Sequence, residues 1–474
     1  MKTITKSMLA LTVTTLAGSL LAAERATPNI IVIMTDDQGY ADAGFQGSKD
    51  LRTPHMDALA ESGVVFTDAY VTYPVCGPSR AGFITGRYPQ RFGFERNPQY
   101  RPDDPEMGLP LSEDTMADLL AKAGYTSAII GKWHLGAHPD LHPLNRGFDF
   151  FYGHLGGGKH YFQEHLTIRD PMSIRNEGQS YRTWIQRDFE PEKFEGYLTD
   201  RFSDEAVRFI AENKEQPFFL FLSYNAPHTP VQAPEEYLER FPDIENPLRR
   251  IYAAMLSAVD DGVGRILAKL DDLELRENTM IFFLSDNGGP TDANASDNRP
   301  LRGYKSDVYD GGWRVPFVFS WPGTVEGGKR FHGITSAMDI LGTTAAVIGL
   351  EIAEERPLDG VNLLPYLSGE KEGAPHEVIY LRKFDQQRFA VRQGDYKLVI
   401  PYRDHSPHLF NMRRDIGETR DLADKHPDIL AEIDRMRLSW DAELIEPRFL
   451  GLMHTEEWQR RMRQWREQEE ESEN

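Results

Sequence analysis

Five short apolar runs punctuate the chain: Ile30–Met34, Ala128–Ile130, Phe218–Leu222, Met280–Leu284 and Val315–Phe319. Each lacks polar alternation, which is the pattern of a strand buried on both faces of a parallel sheet. Between them, apolar residues recur with helical spacing at Pro54–Glu61, Thr115–Ala123, Asp204–Ala211 and Leu248–Leu270. Strand and helix signals alternating in this way predict an α/β fold with helices on both faces of the sheet. Such sheets place their chemistry at the carboxyl ends of the strands. Three runs end suggestively: the first in Thr35-Asp36-Asp37, the third in Ser223-Tyr224-Asn225-Ala226-Pro227-His228, and the fourth in Ser285-Asp286-Asn287-Gly288-Gly289.

The texture changes near His376. Glu377–Leu381, Arg388–Arg392 and Tyr396–Ile400 are short alternating runs with Gln393-Gly394-Asp395 at a turn, an antiparallel hairpin signal. A helical stretch, Pro427–Leu444, follows, then a charged tail. A chain of 474 residues exceeds one small core. The expected organisation is a large domain over 24–370 and a smaller α+β subdomain over 371–474. Residues 155–195 have weak periodicity and many Gly, His, Arg and aromatic residues, the composition of a long functional loop.

The N-terminus changes the picture of where the chain works. Lys2 and Lys6 precede the apolar, small-residue stretch Met8–Leu21, and Ala22-Ala23 offers a cleavage point. That layout predicts a signal peptide over 1–23 and an exported, periplasmic or secreted protein without a membrane anchor. The formal charge of −21 disfavours nucleic acid and anionic membrane as partners. Any anionic substrate would therefore need a locally cationic pocket. The composition leaves oligomeric state open. Cys76 is the single cysteine, so it forms no intramolecular disulfide. It is either a buried filler or a reactive group.

Asp36, Asp37, Asp286 and Asn287 together offer three carboxylates and an amide oxygen. A hard cation such as calcium or magnesium takes that set, although Asp and Asn also cap helices and turns. Cys76-Gly77-Pro78-Ser79-Arg80 reads as a helix start at Ser-Arg, where an anion is favoured. Gly131-Lys132-Trp133-His134-Leu135-Gly136 follows one strand, and Leu301-Arg302-Gly303-Tyr304-Lys305 follows the Asp-Asn pair. With Arg80 and His228, these lysines and histidines could line a pocket for a tetrahedral anion.

Cys76-x-Pro-Ser-Arg followed by Thr85-Gly86-Arg87, with Gly131–Gly136 as a second signature, resembles the type I sulfatases. The likeness runs from Pro28-Asn29-Ile30 to Leu409-Phe410-Asn411 and extends to bacterial polysaccharide and glycosaminoglycan sulfatases. It implies an alkaline-phosphatase-like sandwich with a central, mostly parallel sheet. It also implies a formylglycine (3-oxoalanine) made from Cys76 by a separate formylglycine-generating enzyme. Asp36, Asp37, Asp286 and Asn287 would hold calcium, with modified Cys76 completing the shell. The hydrated aldehyde would attack sulfur and then expel sulfate through its second hydroxyl. Arg80 and Lys132 would position the formylglycine, His134 would be the base for elimination, and His228 and Lys305 would bind sulfate and protonate the leaving alcohol.

The implied substrate is a sulfated polysaccharide or oligosaccharide. His160, Tyr161, Arg175, Tyr181, Arg182, Trp184 and Arg187 are candidates to stack on its rings or pair with further sulfates. A formylglycine-dependent phosphodiesterase or phosphonate monoester hydrolase is the rival enzyme, and a non-catalytic carbohydrate-binding relative the rival of another class. Two departures stand out. Where some relatives present a serine, this chain has Gly153-His154-Leu155-Gly156-Gly157, and Asp415-Ile416 replaces the usual Asp-Pro.

Overall fold

The computed structural model describes residues 27–402, 405–456, 458–460 and 463. The expected signal peptide at 1–23 lies outside the described residues, as does most of the tail after Glu456. No helix among the described residues is long and apolar enough to cross a membrane.

The strands in chain order are β1 (Asn29–Thr35), β2 (Val64–Phe66), β3 (Ala69–Tyr70), β4 (Thr126–Lys132), β5 (Phe150–His154), β6 (Ile185–Arg187), β7 (Glu190–Glu192) and β8 (Phe218–Ser223). They continue as β9 (Thr279–Ser285), β10 (Phe317–Ser320), β11 (Lys329–Phe331), β12 (Thr335–Ser336), β13 (Val378–Lys383), β14 (Arg388–Gln393), β15 (Tyr396–Ile400) and β16 (His408–Asn411). Ten of them form one sheet in the order β11-β2-β10-β9-β1-β8-β4-β5-β6-β7. Its centre, β5-β4-β8-β1-β9, is parallel.

Both faces of that centre are covered, which is why its strands read as unbroken apolar runs. Ile30, Val32 and Met34 of β1 pack with the helices Cys76–Thr85 and Met116–Lys122. Ile31 and Ile33 face the opposite way, toward the helices Pro54–Glu61, Leu198–Glu212 and Pro247–Asp272. The fold is therefore the expected α/β sandwich. Residues β13 to β16 form a separate antiparallel sheet. One side of it, through Ile379, Leu381 and Val399, joins the main core; the other, through Val391, Leu398 and Leu409, packs on Ile433 of the helix Pro427–Asp441.

Three expectations need correction. The run Val315–Phe319 becomes β10, which pairs antiparallel to both β9 and β2. An apolar run records burial but not direction. Residues 155–195 are not loop throughout, because β6 and β7 extend the main sheet as short antiparallel edge strands. The helix at Cys76 starts three residues before Ser79, with Val75 at the N-cap position and no side-chain cap.

Candidate active site

Strand register assembles the site. Asn29–Thr35 of β1 lie level with Thr279–Ser285 of β9, so Asp36-Asp37 and Asp286-Asn287 leave the sheet side by side. The Asp286 N–H bonds the Thr35 carbonyl at 3.0 Å, and the Asp36 N–H bonds that of Ala226 at 3.1 Å beyond β8. Asp37 and His134 both take left-handed backbone angles, with φ of 69° and 59°. Such conformations are uncommon for non-glycine residues and recur where a side chain must be aimed. Gly288 is fixed by crowding, since a Cβ there would fall 1.8 Å from the Gly311 carbonyl oxygen.

Cys76 is the first residue of its helix and is 2% exposed. Its sulfur lies 3.6 Å from Asp36 Oδ1 and 3.1 Å from Lys305 Nζ. Lys132 Nζ meets Asp36 Oδ2 at 2.6 Å, and Lys305 Nζ meets Asp37 Oδ1 at 2.6 Å. His228 Nδ1 donates to the Thr229 carbonyl at 2.6 Å, which turns Nε2 toward Asp37 Oδ2 at 3.5 Å. Arg80 is fully buried; its Nε and Nη2 both reach Asp286 Oδ2, and its Nη1 reaches Ser223 Oγ at 2.5 Å. Thus Arg80 meets the metal-ligand candidate Asp286, and its hydrogen bonds go there, to Ser223 and to the Lys132 carbonyl.

The charges reinforce one another. Burial would raise the Cys76 thiol, but Lys132 and Lys305 outweigh it and hold it down at about 6. Burial likewise opposes Lys305 and His228 at Asp37, and the cations prevail, holding its carboxyl at about 2. Asp36 goes the other way: burial, then repulsion from Asp286, push it well above the usual range despite Lys132. His228 is raised because Asp36 and Asp37 overcome its burial. His134 is held well below its ordinary value by burial, Lys132 and Arg80, so its ring is neutral. Neither ring nitrogen of His134 has a hydrogen-bond partner.

The donor set fits a hard cation. Asp36, Asp37, Cys76 and His228 bring ligand atoms within 4.8 Å of one another, all buried. Asn287 donates from Nδ2 to Asp37 Oδ1 at 2.7 Å, while its buried Oδ1 lacks a partner. A buried carbonyl oxygen left unpaired beside three carboxylates is what a missing cation would satisfy. All the site residues expected from the sequence therefore converge: Asp36, Asp37, Cys76, Arg80, Lys132, His134, His228, Lys305, Asp286 and Asn287.

Above them opens a cavity of about 520 Å³. Cys76, His134, His228 and Lys305 form its base. Its walls include residues the sequence did not single out, among them Asn97, Glu177, Lys383 and Trp458. Asn97 has a definite task, its Oδ1 accepting the Gly77 N–H at 2.8 Å beside Cys76. Lys383 comes from β13 and donates to Ser306 Oγ at 2.6 Å, next to Lys305. No local motif marks these positions, because packing of distant segments brings them to the cavity.

The candidates in 155–195 divide. Tyr181 lines the cavity, 6.5 Å from His228 between ring centres. Tyr161 is fully buried and its hydroxyl donates to the Asn225 and His228 carbonyls. Trp184 donates to the Leu166 carbonyl and carries Arg169 and Lys193 over its ring. Arg187 pairs with Glu192 and Glu205 over the Tyr152 ring. Arg175 turns back to the Met172 and Ile174 carbonyls, His160 packs on His165, and Arg182 is exposed on the surface. None of those six is among the residues that line the cavity. At the position of the departed serine, His154 ends β5 buried, with both ring nitrogens unpartnered. Gly157 packs on His134, where a Cβ would come within 2.8 Å of Nε2.

A family model described as Sulfatase matches residues 28–350. The chain is 35% identical over 405 residues to N-acetylgalactosamine-6-sulfatase of Mus musculus, covering 80% of this chain and 73% of that protein. Among solved structures, Ps i-CgsB in complex with k-i-k-neocarrahexaose superposes with a TM-score of 0.83 at 38% identity, covering 89% of this chain and 94% of the other. PsFucS1 sulfatase from Pseudoalteromonas sp. gives 0.74 at 26% identity, over 88% and 90%. The family model and the sulfatase relatives make the chain a sulfuric ester hydrolase. The chain belongs to the sulfatase family.

Proposed function

We propose that the chain removes sulfate from a sulfated polysaccharide or oligosaccharide, using a formylglycine made from Cys76 and a calcium ion, with magnesium as the alternative. The observation that carries this reading is the position of Cys76. It is the first residue of a helix, with its sulfur between a buried carboxylate and a lysine ammonium. Asp36, Asp37, Asp286, Asn287 and the oxygen that replaces the Cys76 sulfur would hold the cation. When bound, that cation would supply Lewis-acid activation of the attacking hydroxyl. The aldehyde would supply, once hydrated, one hydroxyl for attack and a second for release.

The chain's own residues do the rest. Lys305, Lys132 and His228 put positive charge where the sulfate oxygens gather, although the protein is acidic overall. His228, with Nδ1 committed to a carbonyl and a raised proton affinity, presents a protonated Nε2 to the leaving alcohol. His134, neutral and unpartnered, can accept the proton whose loss releases sulfate. Arg80 neutralises Asp286 and fixes its orientation. The same reading includes export through the segment 1–23 and maturation by a formylglycine-generating enzyme.

Two measurements test it. The peptide carrying Cys76 should be lighter than its thiol form by about 18 Da, the difference between thiol and aldehyde. Purified protein should release sulfate from an aryl sulfate, and exhaustive chelation should remove that activity. Faster turnover of an aryl phosphate diester or phosphonate than of the sulfate would favour the rival hydrolase. Full activity with an unmodified Cys76 would overturn the proposal.

A further inference from the structure

A second cavity, also about 520 Å³, lies on the far side of the short helix Thr291–Asn294 from the sulfate pocket. The two share one wall. Pro290, Asp292 and Ala293 line the first cavity, Thr291 and Ala295 line the second, and Tyr304 lines both. This ridge follows directly from the Asp286-Asn287 strand end, so the second cavity is built onto the site and is not a remote pocket.

Tyr304 is the notable member of the ridge. Its residue is 54% exposed, among the large hydrophobic side chains open to solvent. Its backbone is nevertheless fixed, with the Asp307 N–H bonded to its carbonyl at 2.8 Å. A tyrosine held at its backbone and open on its ring is a rigid amphipathic plate, suited to a sugar ring with one apolar face. The second cavity is polar and balanced in charge. Arg249 is already tied to Asp42 and Asp50 inside it. Arg299 pairs with Asp297 at the rim, with a side chain 87% exposed. Hydroxyl and amide chemistry inside, with an exposed Arg299–Asp297 ion pair at the edge, suits a hydroxyl-rich ring better than an isolated anion.

We infer that the sugar adjoining the sulfated one in a glycan chain lies across Tyr304 into this second cavity. A sulfate within a chain, and not only at its end, would then reach Cys76. The inference rests on the glycan-sulfatase reading, and adds that the site is open on two sides.

The test compares substrates of increasing length. Thr291→Trp fills the second cavity from a residue that does not line the first. It should leave kcat/KM for an aryl sulfate within about twofold of the parent. On a sulfated oligosaccharide of six or more sugars it should lower kcat/KM about tenfold or more, because binding remote from the ester is lost. Arg299→Glu, on an exposed side chain whose ion-pair partner is Asp297, should reproduce a fall of about fivefold on the long substrate alone. Parent enzyme should also release sulfate from a chain blocked at both ends. If both variants treat long and short substrates alike, or if blocked chains are inert while unblocked ones react, the second cavity is no subsite. A parent enzyme inactive on every sulfate ester, the aryl sulfate included, would instead sink the sulfatase reading on which this one stands.

Discussion

Arg80 and His134 are both enclosed beside Cys76, yet they are held in opposite ways, and substitution should separate them. Arg80 spends its guanidinium on Asp286, Ser223 and a carbonyl, with side-chain exposure of 0% for it and for Asp286. In the metal-free protein Arg80→Ala takes the ion-pair partner from a buried carboxylate that otherwise accepts the Asp37 N–H, at a cost of about 3–5 kcal/mol. Chemical denaturation should show that loss, and activity should vanish with it. The His134 ring has no hydrogen bonds to lose. His134→Ala should therefore leave a folded, metal-binding protein whose kcat falls about 100-fold or more, in the range of one general base, with KM little changed. Cys76→Ser offers a finer test: it should bind substrate but retain less than about a hundredth of the turnover, since serine has no second hydroxyl with which to release sulfate. Normal sulfate release by Cys76→Ser would exclude the aldehyde. These residues were legible in the sequence because each stands within a few positions of a strand or helix end, where α/β folds concentrate chemistry. Glu177, Lys383 and Trp458 were not, because only tertiary packing carries them to the cavity.

At the scale of elements, the long strands declared themselves and the edges did not. Burial on two faces makes β1, β8 and β9 unbroken apolar runs, whereas β6 and β7 have three residues each and mix Gln186, Arg187, Pro191 and Glu192 among few apolar ones. Such short edge strands carry no periodicity to detect. The helix at Cys76 was legible only from Ser79 onward because Val75 supplies none of the usual capping chemistry. Arg187 shows what the edge is for. It links Glu192 of β7 to Glu205 on the helix Leu198–Glu212 and lies 4.7 Å over the Tyr152 ring of β5. Arg187→Ala should lower stability by about 1–3 kcal/mol, measured as a shift in the denaturant midpoint. The ratio of kcat/KM for a long glycan to that for an aryl sulfate should stay at the parent's value. A selective loss on the glycan would return Arg187 to the substrate and contradict the packing role.

Over the whole molecule, the antiparallel sheet and the main domain are joined by a buried ionic cluster linked to the Asp286-Asn287 loop. Lys397 of β15 meets Asp310 at 2.6 Å and Glu418 at 2.7 Å, with no side-chain exposure at any of these contacts. Arg314 also pairs with Asp310, the Tyr70 hydroxyl donates to it, and Arg392 reaches that hydroxyl. Asp310 begins the turn whose Gly312 carbonyl accepts the Gly288 N–H at 3.0 Å, next to Asn287. Burial, then repulsion from Asp310, pushes the Glu418 carboxyl up to about 7, against the pull of Lys397. In the unfolded chain the same group releases its proton near the ordinary 4.5. Between those values the folded protein keeps a proton that the unfolded chain has lost, so stability falls as pH rises. The contribution is complete below the unfolded value and gone once pH has passed through the folded one. Glu418→Gln carries no such proton and should flatten this part of the profile. Its Tm should lie below the parent's near pH 5, where protonated Glu418 still accepts from Lys397 and from the Asp310 N–H. That deficit should shrink steadily toward pH 8. A Tm difference that stays constant across the window would mean Glu418 is ionised throughout, and that the cluster joins the two sheets as a permanent ion network with no titrating member.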